Sequence, residues 1–186
     1  MDRALRLPLR SSLVTRTAII AAITLVFALL PGCGGSDSES DQQASSGAAA
    51  LVSADSLRAA SSEGASPIYW AGEQEGTELE LSQPDEDRTY VRYLTGDAAA
   101  GDERANFLTV STYVQPNAVA VLRRQGKRSG GTIGHAPGNA IVYYDQANPS
   151  SVYLAYPGSS VEVEVYDPNF ERALKLVNSG QIVAVG

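Results

Sequence analysis

The chain has 186 residues, one Cys, one His and a formal net charge of −7 from 14 basic and 21 acidic side chains. A lone Cys excludes a disulfide framework, and a lone His excludes a metal site built from several histidines. The acidic balance lacks the clustered Lys and Arg that nucleic acid requires, and the length suits one compact domain.

The N-terminus reads as an address. Arg3, Arg6, Arg10 and Arg16 make a positive region, and residues 18–30 form a thirteen-residue stretch without charge. That is the length of a signal-peptide core and short for a membrane span. An uncleaved anchor starting at Leu13 would place Arg16 inside the bilayer, where a central Arg is costly. Leu29-Leu30-Pro31-Gly32-Cys33 follows with the form of a lipobox, Pro31 standing where a small residue is commoner. The expectation is a lipoprotein signal peptide over residues 1–32, lipidation at Cys33, and a protein held at the cell membrane on its extracytoplasmic face. Two acyl chains anchor stably where one binds marginally, so a diacylglyceryl Cys33 suffices as the membrane contact and uses up the only thiol. Without the four Arg and one Asp of residues 1–32, residues 33–186 carry ten basic and twenty acidic side chains, a net charge near −10. Such a surface disfavours broad contact with anionic headgroups.

Residues 33–66 are expected to be the lipidated Cys followed by a Gly/Ser/Ala-rich tether with no aromatic residue, a composition that cannot offset ordering entropy. Within it, residues 48–60 set Leu51, Ala54, Leu57 and Arg58 at helical spacing. Two readings stand for this stretch: a short helix docked on the domain, or an Ala-rich part of the tether. Pro67-Ile68-Tyr69-Trp70 opens a domain over residues 67–186, with Trp70 as the core anchor at its entry. Residues 77–81 and 88–94 alternate polar and apolar, the period of half-buried strands, around the turn Pro84-Asp85-Glu86-Asp87. Residues 107–113 form a third strand. A helix starts at Pro116-Asn117 with Ala118, Val121 and Leu122 on one face; Arg123, Arg124 and Lys127 lie toward its end, where cations suit the dipole, and Gly126 reads as its C-cap. Residues 132–135, 139–144, 151–156 and 161–166 read as further strands. Asp167-Pro168-Asn169 caps a second helix through Val177, Gly180 stops it, and residues 181–185 close the chain as a strand. The fold class is α+β, a mostly antiparallel sheet with two helices on one face.

The element order raises a pseudo-twofold duplication of residues 77–135 and 139–186. Tyr90-Val91-Arg92-Tyr93-Leu94 aligns with Val152-Tyr153-Leu154-Ala155-Tyr156, and Thr109-Val110-Ser111-Thr112-Tyr113 with Glu162-Val163-Glu164-Val165-Tyr166. The opposing reading is that two β-rich halves look alike because strands and Pro-Asn caps are common. The run Pro67-Ile68-Tyr69-Trp70-Ala71-Gly72, with Tyr90-Val91-Arg92-Tyr93-Leu94 and Leu108-Thr109-Val110-Ser111-Thr112-Tyr113, resembles a group of lipoproteins of high-GC Gram-positive bacteria. The resemblance spans roughly residues 67–123 and the lipobox. It implies a lipid-anchored envelope protein and, since that group has no assigned activity, carries over no functional residue.

Little in the sequence points to catalysis. His135 lies in the glycine-rich connector of residues 130–138, and no G-x-S-x-G elbow surrounds a Ser. Gly126-Lys127-Arg128-Ser129 has the end of a phosphate loop, but Val121 stands where Gly is required. Asp85, Glu86 and Asp87 lack the spacing of a calcium loop and read as a hairpin tip; Asp97, Asp102 and Glu103 read likewise. Glu162 and Glu164 alternate with Val161, Val163 and Val165 as the wet face of one strand. No catalytic residue, metal or cofactor is expected. Tyr90, Tyr93, Tyr143, Tyr144, Tyr153 and Tyr156 lie in predicted strands. They form an exposed binding face, as Tyr does at recognition surfaces, or they pack the core edges with their hydroxyls in water. The first expectation for function is a non-catalytic module that binds a protein or an envelope polymer, with Tyr90, Tyr93, Tyr143, Tyr153 and Tyr156 as its surface. A structural accessory subunit of an envelope complex is one alternative. An enzyme is the other, and would need a cleft holding His135 or paired carboxylates.

Overall fold

A computed structural model describes residues 47–147 and 149–186. The expected signal peptide and Cys33 lie outside the described residues. The elements run β1 (Ala50–Val52), α1 (Ala54–Glu63), β2 (Tyr69–Trp70), β3 (Glu78–Asp85), β4 (Arg88–Leu94), β5 (Leu108–Val114) and α2 (Ala118–Ser129). They continue with β6 (Thr132–Ala136), β7 (Ala140–Tyr144), β8 (Ser151–Ala155), β9 (Val161–Tyr166), α3 (Phe170–Asn178) and β10 (Val183–Ala184). Eight strands form one antiparallel sheet in the order β1-β3-β4-β5-β9-β8-β7-β6, and β2 pairs with β10 in a separate ribbon. The α+β class follows directly.

Alternation along the strands divides the side chains between two faces. The first face carries Leu79, Val91, Tyr93, Val110, Val142, Val152, Leu154, Val163 and Val165, and it is covered by Leu57 of α1, by Leu176 and Val177 of α3, and by Ile68, Trp70 and Ile182 around the β2–β10 ribbon. The second face carries a smaller cluster, in which Ala118 and Leu122 of α2 sit on Ile141, Tyr143 and Ala155. The two helices expected on one face therefore lie on opposite faces, and it is α1 that shares a face with α3. The sequence pattern of a helix fixes which stripe it buries but not which side of the sheet its preceding loop carries it to.

Residues 50–63, which overlap the stretch given two readings as a docked short helix or as tether, form β1 and α1. Two local features order them. The Ser53 side chain accepts from the Ser56 N–H at 3.1 Å as an N-cap, and Leu57 is fully buried in the main core. Gly126 is likewise not a C-cap. The helix runs through it, and Gly130 at φ +70° takes that role. An added Cβ at Gly126 would stand 2.4 Å from Ile133 Cγ1, so Gly serves there to let α2 approach β6. Before α3 the Asp167 side chain accepts from the Asn169 N–H at 2.8 Å and pairs with Arg172 at 3.1 Å, while the N-cap residue Asn169 makes no side-chain cap bond of its own.

The sheet's strand order is palindromic about the β5–β9 pair, where Ser111 faces Glu164. Tyr90 stands opposite Ser111, and Tyr153 opposite Glu164. The register thus relates Tyr90 to Tyr153, one residue away from the sequence alignment of Tyr90 with Val152. A one-residue slip moves every side chain to the other face, and Val152 is on the first face while Tyr90 is on the second. The helices do not follow the palindrome, since α2 and α3 cover different faces.

Candidate binding face

The second face of the sheet is covered at its two ends and open between them. α2 lies over β7 and β8 at one end. At the other, residues 95–107 are fastened to the sheet by a buried ion pair. Glu80, only 1% exposed, meets Arg92 at 2.8 Å and accepts from the Gly101 N–H at 2.5 Å. Arg92 also donates to the carbonyls of Asp102 and Arg104 and lies over the Phe107 ring at 5.2 Å.

Between these covers runs a strip of tyrosines and carboxylates from β4, β5, β8 and β9. Tyr90 and Tyr113 meet edge to face with centroids 6.1 Å apart. The Tyr113 hydroxyl donates to Glu164 Oε2 at 2.7 Å, and the Tyr153 hydroxyl donates to Oε1 at 3.1 Å. Both oxygens of one carboxylate are thus held by phenols. Burial pushes the Tyr153 hydroxyl up to about 12, with the Glu164 charge adding to it. Burial, and then the bond to Glu164, pushes Tyr113 up as well. Both phenols therefore stay protonated at neutral pH and serve as fixed donors. Glu162, two residues along the same strand, has its carboxyl pushed up by burial first and by the Glu164 charge second. Its side chain lines a cavity of about 440 Å³ beneath α2, with Gln125, Tyr143, Asp145 and Tyr153. Glu164 lines a second groove of about 510 Å³ toward the 95–107 loop, with Tyr90, Tyr113 and Tyr166. Glu162 of the first and Glu164 of the second stand two residues apart on β9.

The five tyrosines expected as one binding surface are split by this arrangement. Tyr93 is 1% exposed, on the first face, its oxygen accepting from the Ala71 N–H at 2.7 Å. Tyr143 is 6% exposed, beneath α2. Tyr156 is half-buried on the first face, stacked on Tyr69 at 5.6 Å and donating to the Ile182 carbonyl. Tyr90 and Tyr153 remain half-buried on the second face, so two of the five reach it together. The cause is parity and cover: strand alternation sends Tyr93 and Tyr156 to the opposite side, and α2 closes over Tyr143. Tyr144 packs on Phe170 of α3 at 5.4 Å. Glu162 and Glu164, read as a wet face, are half-buried instead, and they are the functional candidates that the sequence pattern undervalued.

Comparison with protein-family models, with curated proteins and with solved structures found no match.

The remaining candidates are placed elsewhere. His135 is exposed on edge strand β6, with β7 and β8 between it and β9. Asp85 pairs with Arg88, and Asp97 and Asp102 both pair with Arg104, which holds the Asp102 carboxyl down at about 2. Among the described residues, no group of three His, Cys, Asp or Glu is placed to hold a metal ion, and no helix is long and apolar enough to cross a membrane. What the strip offers chemically is a set of aromatic faces, fixed hydroxyl donors and carboxylate acceptors lining two shallow concavities, a pattern suited to recognition.

Proposed function

We propose that this protein is a lipoprotein anchored through Cys33 to the extracytoplasmic face of the membrane, and that its domain is a non-catalytic binding module for an envelope polymer or a protein. The observation that carries the binding reading is the Glu164 carboxylate held by two phenols in the groove that it lines with Tyr90, Tyr113 and Tyr166. Polar groups fixed before a ligand arrives lower the ordering cost of binding, and Tyr supplies contact area at small entropic cost. The anchor is tested by mass and detergent partition: wild type gains the mass of acylation and enters detergent, and Cys33→Ala does neither. For the binding face, the full chain is titrated with purified envelope polysaccharide. Tyr90→Ser and Glu164→Gln are expected to weaken binding at least tenfold while His135→Ala leaves it unchanged; equal binding by all four proteins would refute the placement.

A second reading is an enzyme, favoured by one feature. Glu162 and Glu164 stand two residues apart on β9, each lining its own concavity and in a different environment, the setting in which one carboxylate serves as acid and the other as base. Turnover of a glycan substrate that Glu162→Gln abolishes, with folding retained, would establish this reading over the first.

A further inference from the structure

Among the described residues the cations are segregated, with Lys175 of α3 as the one unpaired cation outside α2. Arg58, Arg88, Arg92, Arg104 and Arg172 each sit in an ion pair with a carboxylate. Arg123, Arg124, Lys127 and Arg128 of α2 are all exposed, and among the described residues none of them makes a salt bridge. The helix holds no Asp or Glu. At 100° per residue these four side chains occupy an arc of about 140° centred opposite the stripe of Ala118, Leu122 and Gly126 that meets the sheet. Charges serving only the helix dipole would concentrate in the last turn, whereas Arg123 and Arg124 stand a turn earlier.

We infer that the outer face of α2 docks on an anionic lipid surface. This rests on the proposed anchoring at Cys33. Clustered cations strengthen attachment to an anionic leaflet by about fivefold each, and they complement a lipid anchor. The sixteen residues from 34 to 49 reach at most ~55 Å at ~3.4 Å each. That exceeds the ~37 Å diameter expected of a domain of this size, so any side of it can face the bilayer. The other, acidic surfaces are repelled, which leaves α2 as the side turned down. Docked this way, the second face with its Tyr113–Glu164–Tyr153 cluster looks toward the membrane.

The chain has two lysines, and they make the test internally controlled: Lys127 lies in the patch, and Lys175 lies on α3, which covers the other face. The full lipidated chain is bound to vesicles of phosphatidylcholine with or without phosphatidylglycerol, and the acetylation rates of the two lysines are read by mass spectrometry. On anionic vesicles Lys127 should react about fivefold more slowly than on neutral ones, with Lys175 unchanged. The difference should vanish at about 1 M salt, where screening shortens to ~3 Å. The triple variant Arg123→Gln/Arg124→Gln/Arg128→Gln, altered only at exposed positions, should lose the protection. Equal reactivity of Lys127 on both vesicle types, with the chain still bound, overturns the docking and leaves the anchor intact. Failure to bind neutral vesicles removes the anchor instead; Lys127 protection on anionic vesicles then still supports docking, and no binding there overturns it. Protection by soluble polyphosphate without protection by anionic vesicles also overturns it.

Discussion

Arg92→Met strands a charge. Glu80 is 1% exposed and its carboxylate has two partners, the Arg92 guanidinium and the Gly101 N–H. Removing one partner of a buried pair costs about 3–5 kcal/mol, because the remaining ion stays desolvated. In a domain of this size that lowers Tm on the order of 10 °C. Glu80→Leu/Arg92→Met removes both charges and should recover most of the loss, since buried pairs are often replaceable by apolar residues at little net cost. It should not recover the loop. Arg92 also holds the carbonyls of Asp102 and Arg104, so the Gly101 amide should exchange faster in both variants. Thermal unfolding by circular dichroism gives the first quantity, and hydrogen exchange of residues 95–107 gives the second. A single variant within about 1 kcal/mol of wild type would refute the reasoning, since it would mean that Glu80 finds water or another cation without moving.

Burial raises the Glu162 carboxyl, so its stabilising contribution is full below the unfolded value of about 4.3 and is lost as pH rises through the folded one. Glu162→Gln should therefore raise Tm at pH 7 and converge with wild type below about pH 4; a lower Tm at pH 7 would count against the burial reading. An Ala Cβ at Gly131 would stand 2.4 Å from Tyr143 Cε2 and 2.7 Å from the Tyr144 carbonyl, whereas at Gly134 nothing lies within 4 Å. Urea titration should show Gly131→Ala destabilised by about 1–3 kcal/mol and Gly134→Ala near neutral. Tyr93→Phe leaves the Ala71 N–H without its 2.7 Å acceptor and should cost about 1–3 kcal/mol in the same assay.

The strands were readable because Val161, Val163 and Val165 alternate with polar residues, and the two later helices because each follows a Pro-Asn pair. Period-two alternation says that two faces exist; it does not say what covers them. That is why Glu162 and Glu164 read as solvated, why Tyr143 read as available, and why α2 and α3 were set together. Residues 48–60 carried two readings because helical spacing and an Ala-rich composition pull apart there, and it is tertiary contact at Leu57 that decides between them; β1 was not read at all. The Glu80–Arg92 pair was invisible for a similar reason. Twelve residues separate its members in sequence, and both stand at polar positions of strands that alternate in the ordinary way.

Pairing of β2 with β10 has a consequence for when the domain becomes complete. Ile68 and Trp70 bury against residues around Ile182, Val185 donates to the Ile68 carbonyl, and Ser61 donates to Val185 across 124 residues. A chain made from its N-terminus must hold Leu57, Ile68 and Trp70 uncovered until residues 182–185 emerge. Closure then depends on contacts of long sequence separation, which form slowly. Until those residues are made, the apolar side chains at the entry to the domain have no cover from the β2–β10 ribbon, and the nascent chain stays open there.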